Sequence, residues 1–189
     1  MSPFSPIEIE AKLKVDSFKG IEKRLKALDA EFLRGRLHTD AYFDDGKSTL
    51  RKSDIALRIR RQLIGRREQV VITFKGPKQK GRFKRRQEIQ FEVNDARLAE
   101  MFLAAIGYKK TLVFQKKRRA WHYRDCEIAL DELPFLGRFV EIEGPDEKKI
   151  AAVQKKLGLE DLPHIPESYA VLMQRQLRRR GRKNNKVFF

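Results

Sequence analysis

The parity of the charged residues constrains this chain more than any other feature. Side chains at i and i+2 of a strand share a face. In residues 6–14, Ile7, Ile9, Ala11 and Leu13 fall on one side, and Glu8, Glu10 and Lys12 on the other. The pattern returns further along. Arg58 and Arg60 lie opposite Leu57 and Ile59, and Arg86 and Glu88 opposite Ile89 and Phe91. Lys116 and Arg118 share a face. Glu127 and Asp131 flank Ala129, opposite Ile128 and Leu130, and Glu141 and Glu143 lie opposite Val140 and Ile142. Period two means strands. An ordinary sheet with one solvated face accounts for any one of them. It accounts poorly for the set, in which some strands carry spaced carboxylates and others spaced cations.

Strands are expected at 6–14, 36–43, 55–63, 68–75, 83–93, 110–123, 126–132 and 138–144, with Gly76-Pro77 breaking the fourth. Helices are expected at about 17–31 behind Ser17, about 95–106 behind Asn94, from Pro145-Asp146 to near Gly158, and from Ser168 onward. The short connections suit antiparallel pairing. Eight antiparallel strands can close on themselves and remove their edges. The expected fold is therefore α+β: a closed eight-stranded antiparallel β-barrel with helices packed outside. Its apolar face lies under the helices, so its charged face lines the lumen. Like charges in such a lumen require counter-ions. Carboxylate pairs suit divalent cations, and basic pairs suit phosphate oxygens. The implied occupant is a metal-bound polyphosphate.

Composition narrows the partners. The chain has 189 residues, with 43 Lys or Arg against 26 Asp or Glu, a net charge of +17. That excess points to an anionic partner. A hydrophobic content of 41% argues against global disorder. No apolar run is long enough for a membrane helix, so no membrane partner is expected. The single Cys126 forms no internal disulfide, and Met1–Pro6 has no basic-then-apolar signal pattern. A cytoplasmic location is the expectation. From 175 to 186 there are seven basic residues and no acid, which reads as a frayed tail. The division expected is a folded domain at 1–173 and a basic tail at 174–189. Weak nucleic-acid contact through 175–186 is the minority reading of that tail. Monomer and homodimer both stay open. His38, His122 and His164 have no paired spacing and are expected at the surface or hydrogen-bonded.

Several segments also resemble a known family in order along the chain. Ile7-Glu8-Ile9-Glu10-Ala11-Lys12 resembles the Glu-x-Glu-x-Lys strand of the CYTH superfamily, the triphosphate tunnel metalloenzymes. Thr39-Asp40-Ala41-Tyr42-Phe43-Asp44, Ala56-Leu57-Arg58-Ile59-Arg60 and Thr73-Phe74-Lys75-Gly76-Pro77 resemble its next strands. So do Lys116-Lys117-Arg118-Arg119, Ala129-Leu130-Asp131, Leu136 through Glu143, and Glu167-Ser168-Tyr169 with Leu172. The resemblance covers about residues 6–173. The family includes class IV adenylate cyclases, thiamine triphosphatases, inorganic triphosphatases and fungal-type RNA triphosphatases.

The resemblance implies a metal-dependent enzyme that cleaves a phosphoanhydride of a small triphosphate in a tunnel. Glu8, Glu10, Asp131, Glu141 and Glu143 match its metal positions, for Mg2+ or Mn2+. Lys12, Arg58, Arg60, Lys75, Arg86, Lys116 and Arg118 match positions that hold the triphosphate. Glu88 shares the strand of Arg86, and Gln90 stands where family members often have a second Glu. Lys12, Glu8 and Glu10 are the expected catalytic set, with Lys12 polarising or protonating the leaving phosphate. Inorganic tripolyphosphate, a nucleoside triphosphate and thiamine triphosphate are all candidate substrates. The sequence does not choose between a hydrolase and a class IV adenylate cyclase making cyclic AMP from ATP. A basic nucleic-acid-binding module is the rival from another class. It leaves the carboxylate pairs unexplained, since acids on a binding face repel phosphate.

Overall fold

Every expected alternating stretch is a strand in the computed structural model, which describes residues 7–65, 67–182 and 184–189. The barrel strands are β1 (Ile7–Val15), β2 (Glu31–Asp44), β3 (Ala56–Ile64), β4 (Arg67–Gln79), β5 (Lys84–Val93), β6 (Lys109–Tyr123), β7 (Cys126–Leu133) and β8 (Gly137–Glu143). The helices are α1 (Lys19–Ala27), α2 (Thr49–Lys52), α3 (Ala96–Ala105), α4 (Glu147–Lys156) and α5 (Tyr169–Arg179), and a two-residue β9 (Lys186–Val187) follows.

The strands pair in the order β2-β3-β4-β5-β1-β8-β7-β6, and β2 pairs with β6 to close the ring. All eight pairings of the ring are antiparallel. β1 is thus inserted between β5 and β8, with Leu13 opposite Val140 and Ile9 opposite Arg85.

The apolar parity faces outward, as expected. Ile9, Ala11 and Leu13 of β1 join Ile128, Leu130, Val140 and Ile142 under α1 and α4, which contribute Ile21, Leu25, Ile150, Val153 and Leu157. On the opposite side Ala41, Phe43, Ile59, Val70 and Val113 meet Ala99 and Leu103 of α3.

Lumen-facing positions change character along the barrel. At one end they are apolar: Tyr42, Leu112, Phe114, Leu133 and Phe139 pack against Tyr169, Met173 and Leu177 of α5. One or two steps further on the same strand faces they become Asp40, Lys116, Asp131 and Glu141. So α5 seats on the inward-facing parity of the barrel, whereas α1, α3 and α4 cover its outside.

Four local expectations need correction. β4 continues through Gly76-Pro77 to Gln79 rather than breaking there, and a register shift between Lys75 and Lys78 absorbs the proline. Such an irregularity is where a residue without an N–H donor fits a ladder. The cap of α3 is Asp95, not Asn94; its carboxylate accepts from the Arg97 and Leu98 N–H groups. β2 begins at Glu31, five residues before the expected start. The chain end does not fray: Val187 is buried beside Phe114 and Leu177, and β9 runs parallel to β6. Arg180 and Arg182 stack over Phe135, and Arg175 pairs with Glu167.

Candidate active site

The lumen encloses a cavity of about 750 Å3. It receives Glu8, Glu10 and Lys12 from β1, Arg58 and Arg60 from β3, Lys75 from β4, and Arg86 and Glu88 from β5. Lys116 and Arg118 arrive from β6, and Glu141 and Glu143 from β8. Strand pleating delivers them, since each set occupies alternate positions. The closed ring brings together residues that are far apart in sequence.

Two buried aspartates organise the cations. Asp40 accepts two hydrogen bonds from Arg60, at 2.6 and 2.8 Å, and Arg58 lies 3.7 Å away. Burial would raise this carboxyl, but Arg60 and Arg58 hold it well below the usual carboxylate range. Asp131, 0% exposed, accepts from Arg118 at 2.7 and 2.6 Å and from Lys116 at 2.9 Å. Arg118 also bonds Glu141. Planar carboxylate-to-guanidinium forks of this kind fix both partners in orientation. Arg60 and Arg118 are held by such forks, Lys116 by Asp131, and Arg58 by the Thr73 hydroxyl at 3.0 Å, so the four form a preset array of charge. Asp131, read from the sequence as a metal position, spends three of its acceptor sites on these cations.

The other wall is a mixed ladder. Lys75 sits 2.7 Å from Glu8 and 2.6 Å from Glu88. Lys84 sits 2.8 Å from Glu10. Lys12 lies 3.3 Å from Glu10 and 3.2 Å from Glu141, and donates to the Glu167 carbonyl at 3.0 Å. The Tyr169 ring lies under its ammonium, 4.4 Å to the centroid. Burial pulls Lys12 down, but Glu10 and Glu141 more than offset this and hold it above the ordinary lysine range. Lys12 therefore stays charged. Lys116 behaves differently: burial and the neighbouring Arg118 outweigh Asp131 and bring it down to about 8.

Arg86 lines the cavity but is committed elsewhere. Its Nε donates to the Gly76 carbonyl at 2.7 Å and its other end to the Asp54 carbonyl, clamping the bend of β4. It shapes the wall more than it offers free donors.

The acids form a row across three strands. Glu143 lies directly opposite Glu10 on β1 and directly opposite Glu127 on β7. Directly opposed like charges destabilise a sheet. Glu143 reaches solvent at the outer end of the barrel and makes no ion pair among the described residues. Loss of hydration, Glu8, Glu10 and Glu127 nevertheless push its carboxyl up to about 8. Oxygen-only donors with surplus negative charge fit a hard divalent cation. Among the described residues no three acids form a ready-made metal cage. Lys75 and Lys84 currently neutralise Glu8, Glu88 and Glu10.

Sequence reasoning missed several lining residues. On β2 the even positions Arg34, Arg36, His38, Asp40 and Tyr42 all face the cavity. Their shared parity is the available signal; the expected start at 36 leaves out Arg34 alone. His38 is neither at the surface nor hydrogen-bonded: it is 1% exposed and both ring nitrogens lack a partner. Lys84, on the even face of β5, and Tyr169 also line the cavity. His164 does follow expectation, bonding Gln154 at 3.1 Å, and Cys126 is buried with its thiol raised by burial.

Comparison with known proteins shows the family and the fold. The CYTH domain family model matches residues 6–169. A Methanocaldococcus jannaschii protein described as a candidate adenylate cyclase is 30% identical over 150 residues, covering 79% of this chain and 81% of the relative. The solved PH1819 protein of Pyrococcus horikoshii superposes with a TM-score of 0.77 at 29% identity, over 89% of this chain and 98% of that one. At the level of fold alone, the Hippeastrum protein HpAC1, described as having a dominant triphosphatase activity, superposes with a TM-score of 0.67 at 18% identity, over 94% of this chain and 97% of that one.

Proposed function

Since the chain belongs to the CYTH domain family, we propose that it is a metal-dependent enzyme cleaving a phosphoanhydride bond of a small triphosphate held in the barrel lumen. One observation carries this reading: Asp40 and Asp131 hold Arg60, Lys116 and Arg118 by hydrogen bonds, with Arg58 3.7 Å from Asp40, in a lumen that also presents a row of carboxylates. Phosphoryl transfer is mainly positioning and charge neutralisation, and both requirements are built in.

Arg58, Arg60, Lys116 and Arg118 would take the phosphate oxygens, the guanidinium groups by two-point contact. Lys75 and Lys84, now paired with carboxylates, would turn toward phosphate when the substrate enters. That exchange frees Glu8 and Glu10 to join Glu143, with Glu141 beside them, as oxygen donors for Mg2+ or Mn2+. A bound divalent ion supplies Lewis acidity at the phosphoryl oxygens. Asp131 serves here as the anchor of Lys116 and Arg118. Lys12, fixed in its charged form, stabilises negative charge on the leaving phosphate by electrostatics rather than by proton transfer.

The name of the Methanocaldococcus jannaschii relative supports a cyclase as the second reading. Against a dedicated nucleoside pocket, Tyr42 is already stacked on Phe114 and Tyr169 is packed edge-on against Phe139. Neither of these rings is free to hold a base; Phe91, which also lines the cavity, is exposed. A nucleic-acid module is the weaker rival, since the carboxylates lie in the same lumen as the cations.

The test is direct. Phosphate and cyclic nucleotide release are measured from tripolyphosphate, thiamine triphosphate and ATP, with magnesium and then manganese. Phosphate release that requires metal and falls sharply in Glu143→Gln, with unchanged folding, is expected. Cyclic AMP as the main product would give the cyclase reading. No turnover and no binding of any of the three would overturn the proposal.

A further inference from the structure

The cations that hold Asp40 and Asp131 do not exhaust the positive charge of the lumen. β2 carries two more cations and a histidine on its inward face: Arg34, Arg36 and His38. Exposure along this strand rises from Asp40 and His38, both buried, through half-buried Arg36 to exposed Arg34. The run therefore leads from the centre of the lumen to its outer end. From Asp40 to Arg34 it spans about 20 Å, at about 3.3 Å per residue. That is longer than three linked phosphates.

Glu127 lines the same cavity and partly offsets the charge of Arg36. Neither Arg34 nor Arg36 makes an ion pair among the described residues. Across the ladder Arg36 faces Arg118, and His38 faces Lys116. The Arg36–Arg118 pair sets like charges directly opposite one another, which opposes folding unless an anion lies near them. The strip also contains unspent donors. The Nε of Arg36 and both ring nitrogens of His38 are buried without a hydrogen-bond partner. Buried polar groups are nearly always satisfied, so orphans lining one cavity mark a place for a ligand. Burial and the cations around it keep His38 neutral, far below its usual range. A neutral imidazole still offers one N–H to an anion, and its second nitrogen can accept from a neighbouring ammonium.

We infer that Arg34, Arg36 and His38 form an additional anion subsite, which extends the triphosphate grip toward the outer end and selects linear polyphosphates of four or more phosphates. The inference rests on the triphosphate reading above. The fourth phosphate would lie between Arg36 and His38, with Arg34 meeting the chain as it leaves the barrel.

Binding of tripolyphosphate and tetrapolyphosphate to the full chain is measured by calorimetry in metal-free buffer, where turnover is blocked. The wild-type protein should bind tetrapolyphosphate about tenfold more tightly, the factor that 1.4 kcal/mol of added contact provides. In Arg34→Ala/Arg36→Ala, and separately in His38→Phe, that ratio should fall toward one. The double variant alters the exposed end of the strip, so it tests the idea even if His38→Phe folds poorly. Arg178→Ala/Arg179→Ala lowers the net charge equally but should leave the ratio intact. A wild-type ratio near one would overturn the extended subsite. A tenfold ratio that survives in both β2 variants would overturn its assignment to this strand. If the wild-type protein binds neither anion, the triphosphate reading falls, and this inference with it.

Discussion

Asp131→Asn tests the site at its most heavily loaded point. The substitution keeps the shape of the side chain and removes its charge. Asp131 is wholly buried and accepts three charge-assisted hydrogen bonds from Lys116 and Arg118. Removing it leaves two buried cations with Glu141 as the nearest acid for Arg118. Breaking a buried pair from one side costs about 3–5 kcal/mol. For a domain of this size each kcal/mol moves Tm by about 2–4 °C, so a fall of about 6–20 °C is expected. Tripolyphosphate should then act as a substitute for the missing charge. A ligand bound only by the folded state stabilises by RT ln(1 + [L]/Kd), about 2.7 kcal/mol at a hundredfold excess. The variant should gain at least as large a Tm shift from tripolyphosphate as the wild type, and more than it gains from monophosphate. Thermal unfolding with and without each anion reads both effects. A loss under about 1 kcal/mol, or a variant that no longer responds to tripolyphosphate, would refute the view of Asp131 as the anchor of two phosphate-binding cations.

Two further outcomes follow from the same geometry. Arg58→Ala or Arg60→Ala should weaken tripolyphosphate binding about ten- to a hundredfold, the loss of a charge-assisted bond of roughly 1.5–3 kcal/mol, whereas Arg178→Ala/Arg179→Ala on α5 should change it little; calorimetry with the same anion ranks them. Lys116, brought down to about 8, is neutral in the free protein above that pH, and the folded state then binds fewer protons than the unfolded chain up to the ordinary value of 10.5. Stability contributed by this group therefore rises with pH through that window. Anion binding must return the proton, so tripolyphosphate affinity should fall above pH 8, by up to about tenfold per pH unit for one proton, and this fall should vanish in Lys116→Met.

Parity made the fold legible. Alternation over 6–14 and 138–144, with acids on one face, required a sheet whose polar side is enclosed, and closure by β2–β6 pairing meets that requirement. The same parity placed Arg58, Arg60, Lys116 and Arg118 in the lumen. It could not say what each would touch. Whether Asp131 meets a cation or a metal depends on distances across the barrel, and those follow from register and not from alternation. Only Arg34 of the β2 strip lies outside the strand expected at 36–43, and the pairing with β6 runs straight through Gly35 to include it. Val187 opens a short apolar end, Val187-Phe188-Phe189, and nothing in its pattern says that it docks on the edge of β6 at Val113 and Phe114.

The position of β1 in the ring governs how the chain must assemble. β2-β3-β4-β5-β1 is a contiguous half-sheet made entirely from the N-terminal half of the chain, and β8-β7-β6 is its complement. The first half can form early, but its two edges, β1 and β2, stay open until the second half arrives. Both seams join distant parts of the chain, Leu13 to Val140 and Asp40 to Phe114. Non-local closure of this kind is slow, and an open strand edge is a site for pairing with other chains. The waiting edges are not bare. β1 displays Glu8, Glu10 and Lys12, and β2 displays Arg34, Arg36 and Asp40, on the face that will become the lumen. Charged side chains are the usual guard against edge-to-edge aggregation. The charged residues that come to line the lumen thus guard the unfinished barrel while it waits to close.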